Sequence, residues 1–276
     1  MIMAEGAPRG LDHIVHAVRD LDAAADLYRQ LGFTVGARNR HPWGTHNRIV
    51  QFPGFFIELL TLAEPDKLGA DGFSRLFGAY NRDFIARGEG FSLLILESKN
   101  AANDAAVFSA AAIAGSEVMR FEREGRRPDG AMVKLGFSLA FAEDKHAPDI
   151  RFAVCQQHYP ENFWNPAFQK HANGAEGIAG VVAVAESPHG HRDFLEAFTG
   201  ARAASVADGF SIATPRGTID MLTPAAFLRR YGITAPDVSR GPRLAALRFA
   251  LAAGKRGAVI GPADAMGAVL VLEGVS

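Results

Sequence analysis

The stretch LDHIVHAV, residues 11–18, carries His13 and His16 on what reads as an apolar β-strand. Side chains alternate between the faces of a strand, so these two histidines point to opposite sides and do not serve one site. A second chemical oddity is Glu58, set in FFIELLTL on a strand that is otherwise apolar on both faces. An unpaired carboxylate there costs several kcal/mol, so it calls for a metal ion or for an ion-pair partner such as Arg48. Between the two lies RHPWGTHN, where His41, Trp43, His46 and Asn47 mix hydrogen-bonding groups with a large aromatic and Gly44 frees the backbone.

The elements that must position these residues repeat along the chain. After the first strand, RDLDAAADLYRQLGF places Asp20 as helix cap, an apolar stripe at Leu21, Ala24, Tyr28 and Leu31, and Gly32 as the stop. FTVGARNR, RIVQF and FFIELLTL follow as strands, with Pro53-Gly54 turning between the last two. This β-α-β-β-β order returns in GFSLLILE, the alanine-rich NAANDAAVFSAAAIAG, EVMRFERE, MVKLGFSLAFAE and IRFAVCQQ. A third copy starts at GIAGVVAVAESPHGHRDFLEAFTG, and GTIDMLT echoes FFIELLT with Asp220 answering Glu58. A fourth, RLAALRFALAA with GAVIGPADAMGAVLVLEG, has no room for the helix. The polar segment QKHANGAEG sets a boundary near residue 170. Residues 1–170 hold modules at 9–65 and 89–160, and residues 171–276 hold a second, degenerate module pair.

LDHIVHAVRDLDAAADLYRQLGF, HPWGTHNRIVQF and FFIELL, in that order, resemble the glyoxalase-like domain of the vicinal oxygen chelate superfamily, which also includes bleomycin resistance proteins and extradiol dioxygenases. The resemblance implies an α+β fold in which tandem β-α-β-β-β modules pair into curved mixed sheets that form a cup, with helices on the outer face. It also implies a divalent metal in the cup that polarises vicinal oxygens of the substrate. His13 matches the first-strand ligand and Glu58 the fourth-strand ligand, 45 residues apart. Zn, Fe, Mn or Ni would suit imidazole and carboxylate, and Glu58 could double as the base. Module two offers Ser92, a poor ligand, where His13 would be. In RFAVCQQHYP alternation groups Phe152, Val154, Gln156 and His158 on one face. If that face lines the cup, Gln156 or His158 completes the shell; otherwise His158 ends its strand at the surface. Trp43, His46, Asn47 and Arg48 border the cup and are the candidate substrate contacts, the plainer reading being a turn before an edge strand. His16 is expected to pack on the other face with Ile14 and Val18. Gly180 stands at the His13 position of the third module, leaving Asp220 without its partner, so the second half is read as structural or as a wall of the substrate cavity. His189 and His191 read as a solvated helix cap, and Phe163 and Trp164 as a packed connector.

Composition narrows the function. A net charge of -1 and scattered basic residues give no footprint for nucleic acid or an anionic membrane. No apolar run approaches the ~20 residues that span a bilayer, the first residues lack a signal-peptide pattern, and a cytoplasmic location is expected. Cys155 is the single cysteine, which excludes an intrachain disulfide, and its apolar strand suits an inert thiol. Phosphate-binding, dinucleotide-binding and nucleophile-elbow motifs are absent. The expectation is a metal-dependent lyase, isomerase or dioxygenase, monomeric or homodimeric, acting on a small oxygen-rich substrate. The alternatives are a metal-free binding or drug-sequestering protein with the same cup, and an interaction module with a vestigial cup.

Overall fold

The computed structural model describes residues 7–126 and 130–274. The first module runs β1 (Leu11–Ala17), α1 (Leu21–Gln30), β2 (Asn39–Arg40), β3 (Thr45–Phe52) and β4 (Phe55–Leu62). Asp20 caps α1 as its sequence requires, accepting from the Asp22 and Ala23 amides at 2.9 and 3.0 Å. The strand expected over 33–40 shrinks to the two residues of β2. A segment with no sequence assignment then forms a π-helical stretch, Ser74–Ala79, that continues into α2 (Tyr80–Arg87).

The second module follows as β5 (Gly90–Glu97), α3 (Ala101–Ala110), β6 (Met119–Arg126), β7 (Met132–Ala142) and β8 (Arg151–Gln157). β1 and β5 pair antiparallel at the centre, and each pairs in parallel with the last strand of its own module. The strand order β2-β3-β4-β1-β5-β8-β7-β6 makes a curved sheet around one concave side. A short connector helix, α4 (Pro160–Phe163), leads to the third module: β9 (Ala175–Val184), α5 (Arg192–Thr199), β10 (Ala203–Val206), β11 (Gly209–Ala213), β12 (Thr218–Leu222) and then α6 (Pro224–Tyr231). β13 (Arg243–Leu251), β14 (Ala258–Ile260) and β15 (Val269–Glu273) follow, with no helix after β13 among the described residues. One bridge, Leu244 to Phe91, joins β13 to β5 and merges both halves into a sheet of 15 strands.

Because β1 and β5 are apolar on both sides, each feeds two cores. Leu11, Ile14 and Val18 pack with Tyr28 of α1, Phe108 of α3 and Phe198 of α5 on the outer face. Val15, Leu93 and Ile95 pack on the cup side with Phe77, Tyr80 and Phe84. The second half repeats this: Ala226 and Phe227 of α6 sit on Val182, Leu222 and Val271. Thus α1, α3 and α5 cover the outer face, while α2 and α6, each following a fourth strand, lie against the cup side. No helix among the described residues is long and apolar enough to cross a membrane.

Candidate functional site

A β-bulge sets up the site. The pairing of β1 with β5 slips between Leu11 and His13, so Asp12 and His13 are successive residues turned to the cup side. His13 Nδ1 lies 2.6 Å from Asp12 Oδ1, and its ring stacks on Phe56 at 4.2 Å between centroids. Nδ1–H therefore donates to Asp12, which leaves Nε2 for the cavity; Asp12 in turn accepts from Gln157 Nε2 at 3.1 Å. His16 points to the outer face, as alternation requires. There Tyr28 Oη donates to Nδ1 at 2.9 Å, and Nε2–H donates to the Met266 carbonyl at 3.0 Å. Burial lowers its pKa to about 4, so it is a neutral, fully bonded packing residue.

The cup holds an inner cavity of 60 Å³ lined by His13, His41, Trp43, Asn47, Glu58 and Arg123, with Phe73 and Phe77 arriving from the helical segment after β4. Glu58 enters from β4, where alternation sends Phe56, Glu58 and Leu60 to the cup side and Phe55, Ile57 and Leu59 outward. Its Oε1 accepts from Asn47 Nδ2 at 2.5 Å, and Asn47 Oδ1 accepts from Asn39 Nδ2 at 3.0 Å. His41 Nε2 is 3.8 Å from the same carboxylate oxygen. Burial raises the pKa of Glu58, opposed in part by the charge of His13, the Asn47 hydrogen bond and the charge of Arg123. His41 is held at about 3 by burial and then by the nearby charges of Arg123 and His46, so its ring is neutral. It stacks on Trp43, and Trp43 on Phe73, each at 4.7 Å, which makes a column of three near-parallel rings beside the cavity.

Of the expected substrate contacts, Trp43 and Asn47 line the cavity and His46 and Arg48 do not. β3 begins at Thr45, so strand alternation already governs this stretch and turns the neighbours of Asn47 outward. His46 Nε2 lies 2.8 Å from Glu64 Oε2, and Arg48 donates to Asp22 at 2.9 Å rather than to Glu58. The buried ion pair offered as the plainer account of Glu58 is therefore not made by Arg48.

The expected third ligands fail for the same reason. On β8 the cup-side residues are Ala153, Cys155 and Gln157, the reverse of the face on which Gln156 was expected to ligate. Gln156 Oε1 accepts from the Ala101 amide at the start of α3, and His158 Nε2 lies 2.8 Å from Ser138 Oγ. Ser92 is likewise out of register. Aligning the helix caps Asp20 and Asn100 puts Leu93 at the position of His13, and strand pairing puts Ala153 at that of Glu58. Ser92 Oγ instead donates to Asn81 Oδ1 at 2.7 Å. Module two thus presents hydrocarbon at both ligand positions.

In the second half Gly180 does occupy the His13 position, opposite Thr218. Asp220 is consumed: it accepts from Arg230 and Arg248 at 3.0 Å each and from Ser211 at 2.6 Å. No described residue from 171–274 lines the inner cavity, so this half is not its wall. His191 is not solvated either; it is buried, with Nδ1 2.6 Å from Asp144 Oδ2.

The remaining donors fit a resident metal poorly. Of the expected ligands only His13 and Glu58 face the cavity, where a catalytic metal usually takes three. His41 Nε2, 3.8 Å from Glu58 Oε1, already receives the Asn47 amide at 3.4 Å, and the guanidinium of Arg123 adds positive charge beside them. Among the described residues no group of three His, Cys, Asp or Glu could hold a metal ion. Asp12, Gln157 and Arg123 are the site residues that strand reading did not single out. The helical spacing of Phe73, Phe77, Tyr80 and Phe84 was the signal for the missing α2 wall.

The glyoxalase-like domain family matches residues 11–199. Among solved structures, a hypothetical protein from Staphylococcus aureus is similar with a TM-score of 0.71 at 13% identity, covering 97% of this chain and 100% of that one. A triple mutant of 4-hydroxymandelate synthase from Streptomyces coelicolor gives a TM-score of 0.54 at 14% identity, covering 89% of this chain and 72% of that one. At these identities the likeness is one of fold. No protein of curated function matches the sequence. The family match takes in both cup-forming modules and every residue that lines the inner cavity. The chain belongs to the glyoxalase-like domain family, with the fold of the vicinal oxygen chelate superfamily.

Proposed function

We propose that the chain is an enzyme that moves a proton on a small, oxygen-rich substrate held in the inner cavity, with Glu58 as its acid–base residue. The observation that carries this reading is a buried carboxylate, raised in pKa, that is held in the cavity by an amide rather than neutralised by an arginine. A carboxyl shifted toward neutral pH can both take and return a proton. His13 is the second proton-handling group: Asp12 fixes its tautomer and orientation, so that Nε2 faces the substrate. The stacked rings of His41, Trp43 and Phe73 form a rigid aromatic side of the cavity that orients the substrate and excludes water. A lyase or isomerase reaction at a carbon next to an oxygen substituent follows from these parts. The dioxygenase expectation needs a metal shell that the donors do not complete, so no step is assigned to a metal.

The test is solvent deuterium uptake, read by NMR, into small 2-hydroxy and 2-oxo compounds, with the metal content of each protein measured alongside. Exchange present in the wild type and lost in Glu58→Gln supports the proposal. Stoichiometric metal lost in both His13→Ala and Glu58→Ala would restore the metal-dependent reading. The aromatic wall favours one other function, a metal-free binder. That reading wins if aromatic ligands bind tightly and Glu58→Gln changes neither binding nor any exchange.

A further inference from the structure

Arg123 of β6 lines both the inner cavity and an outer chamber of 570 Å³. Ile49 and Phe163 are the other residues common to the two, so these three side chains form the neck between them. Arg48 of β3 and Arg120 of β6 are neutralised, by Asp22 and Glu122 respectively. Arg123 is not. Its guanidinium makes one long hydrogen bond, 3.4 Å from Nη1 to the Glu124 carbonyl, and no carboxylate among the described residues lies within ion-pair distance. It is half-buried, and desolvation lowers its pKa, opposed only by the charge of Glu58 across the cavity. A desolvated cation without a counter-ion, aimed at a cavity, is stabilised when an anion enters.

We propose that Arg123 binds a carboxylate of the substrate, and that the substrate class is a 2-hydroxy- or 2-oxocarboxylic acid whose remaining chain extends into the outer chamber. The size of the inner cavity places the two groups together. A volume of 60 Å³ admits only on the order of five non-hydrogen atoms. The reacting carbon at Glu58 and the anion at Arg123 are therefore neighbouring atoms of one substrate. The planar guanidinium can meet both carboxylate oxygens at once, which also fixes the face shown to Glu58. The position of the reacting carbon rests on the acid–base reading of Glu58; the anion site does not.

The experiment compares the acids lactate, pyruvate and mandelate with their uncharged amides by calorimetric titration of wild type, Arg123→Gln, Arg123→Lys and Glu58→Gln. At least one acid is expected to bind the wild type about 10- to 100-fold more tightly than its amide, the range of a charge-assisted hydrogen-bonding pair. Arg123→Gln abolishes that preference without lowering the melting temperature, and Arg123→Lys keeps part of it. Acid and amide binding alike, neither binding, or a preference that survives Arg123→Gln overturns the proposal. Glu58→Gln separates the two readings, since it keeps the acid preference while deuterium exchange is lost. If the preference holds but exchange is unaffected, the role of Glu58 falls and that of Arg123 stands.

Discussion

Replacing Glu58 by glutamine should make the protein more stable and less active at once. The residue is 5% exposed and its Oε1 accepts from Asn47; a glutamine oxygen can accept the same bond in nearly the same volume. What disappears is the cost of holding a charge in a desolvated cavity. Exchanging a buried ionic group for a neutral one of like shape is worth about 1–3 kcal/mol. In a chain of this size that raises the melting temperature by about 2–4 °C for each kcal/mol. The sign with pH follows from the raised pKa of Glu58. The folded protein keeps this proton at pH values where the unfolded chain has released it. Wild-type stability at this group therefore falls as pH rises from the unfolded glutamate range, about 4.3, through the raised value, and is level beyond it. Glutamine does not titrate, so the gain is small near the unfolded pKa and largest in alkaline buffer. Calorimetric or circular-dichroism melts of both proteins across this range read it directly. The same variant should lose about 10²- to 10⁴-fold in turnover. A Glu58→Gln protein that melts below the wild type in alkaline buffer would refute the reasoning, since Glu58 would then be paired for stability and not exposed to a substrate.

Three further perturbations probe the same picture. Asp12→Asn leaves His13 without its orienting carboxylate and should cost about 10²-fold or more in turnover, with melting nearly unchanged; unaltered kinetics would remove Asp12 from the site. Gly44 has φ 90° and an added Cβ would run into the Glu64 backbone. Gly44→Ala should therefore destabilise by roughly 1–3 kcal/mol, visible in urea titration. Asp220→Asn breaks the hub of Arg230 and Arg248. It should cost about 3 kcal/mol of stability while leaving substrate affinity unchanged, and a shifted KM would tie the second half to the cup.

Strand periodicity and module order made the architecture and the pair of His13 and Glu58 legible, because each sits on a strand whose inward face can be counted from its neighbours. Counting fails where a strand is apolar on both faces. β8 reads RFAVCQQ, and nothing within it says whether Gln156 or Gln157 faces the cavity; only its pairing with β5 and β7 decides. His46 and Arg48 were misplaced because β3 begins three residues earlier than RIVQF suggests, so Thr45 to Asn47 already alternate. The bulge at Asp12 and His13 is a property of two strands together and leaves no mark in either alone. Arg123 is the same kind of case: FERE on its own is a charged edge strand, and only the curvature of the sheet brings that edge over Glu58.

The outer side of β1 has a consequence for how the chain is made. His16, back to back with the reactive face, needs the Met266 carbonyl as acceptor, 250 residues further along. A chain emerging from the ribosome can form α1 and offer His16 the Tyr28 hydroxyl at once. The second ring nitrogen finds its protein acceptor only once the segment before β15 has been synthesised, and water serves it until then. The outer side of the strand that presents His13 is thus closed by the second half of the chain, although the strand itself is already paired with β4 and β5.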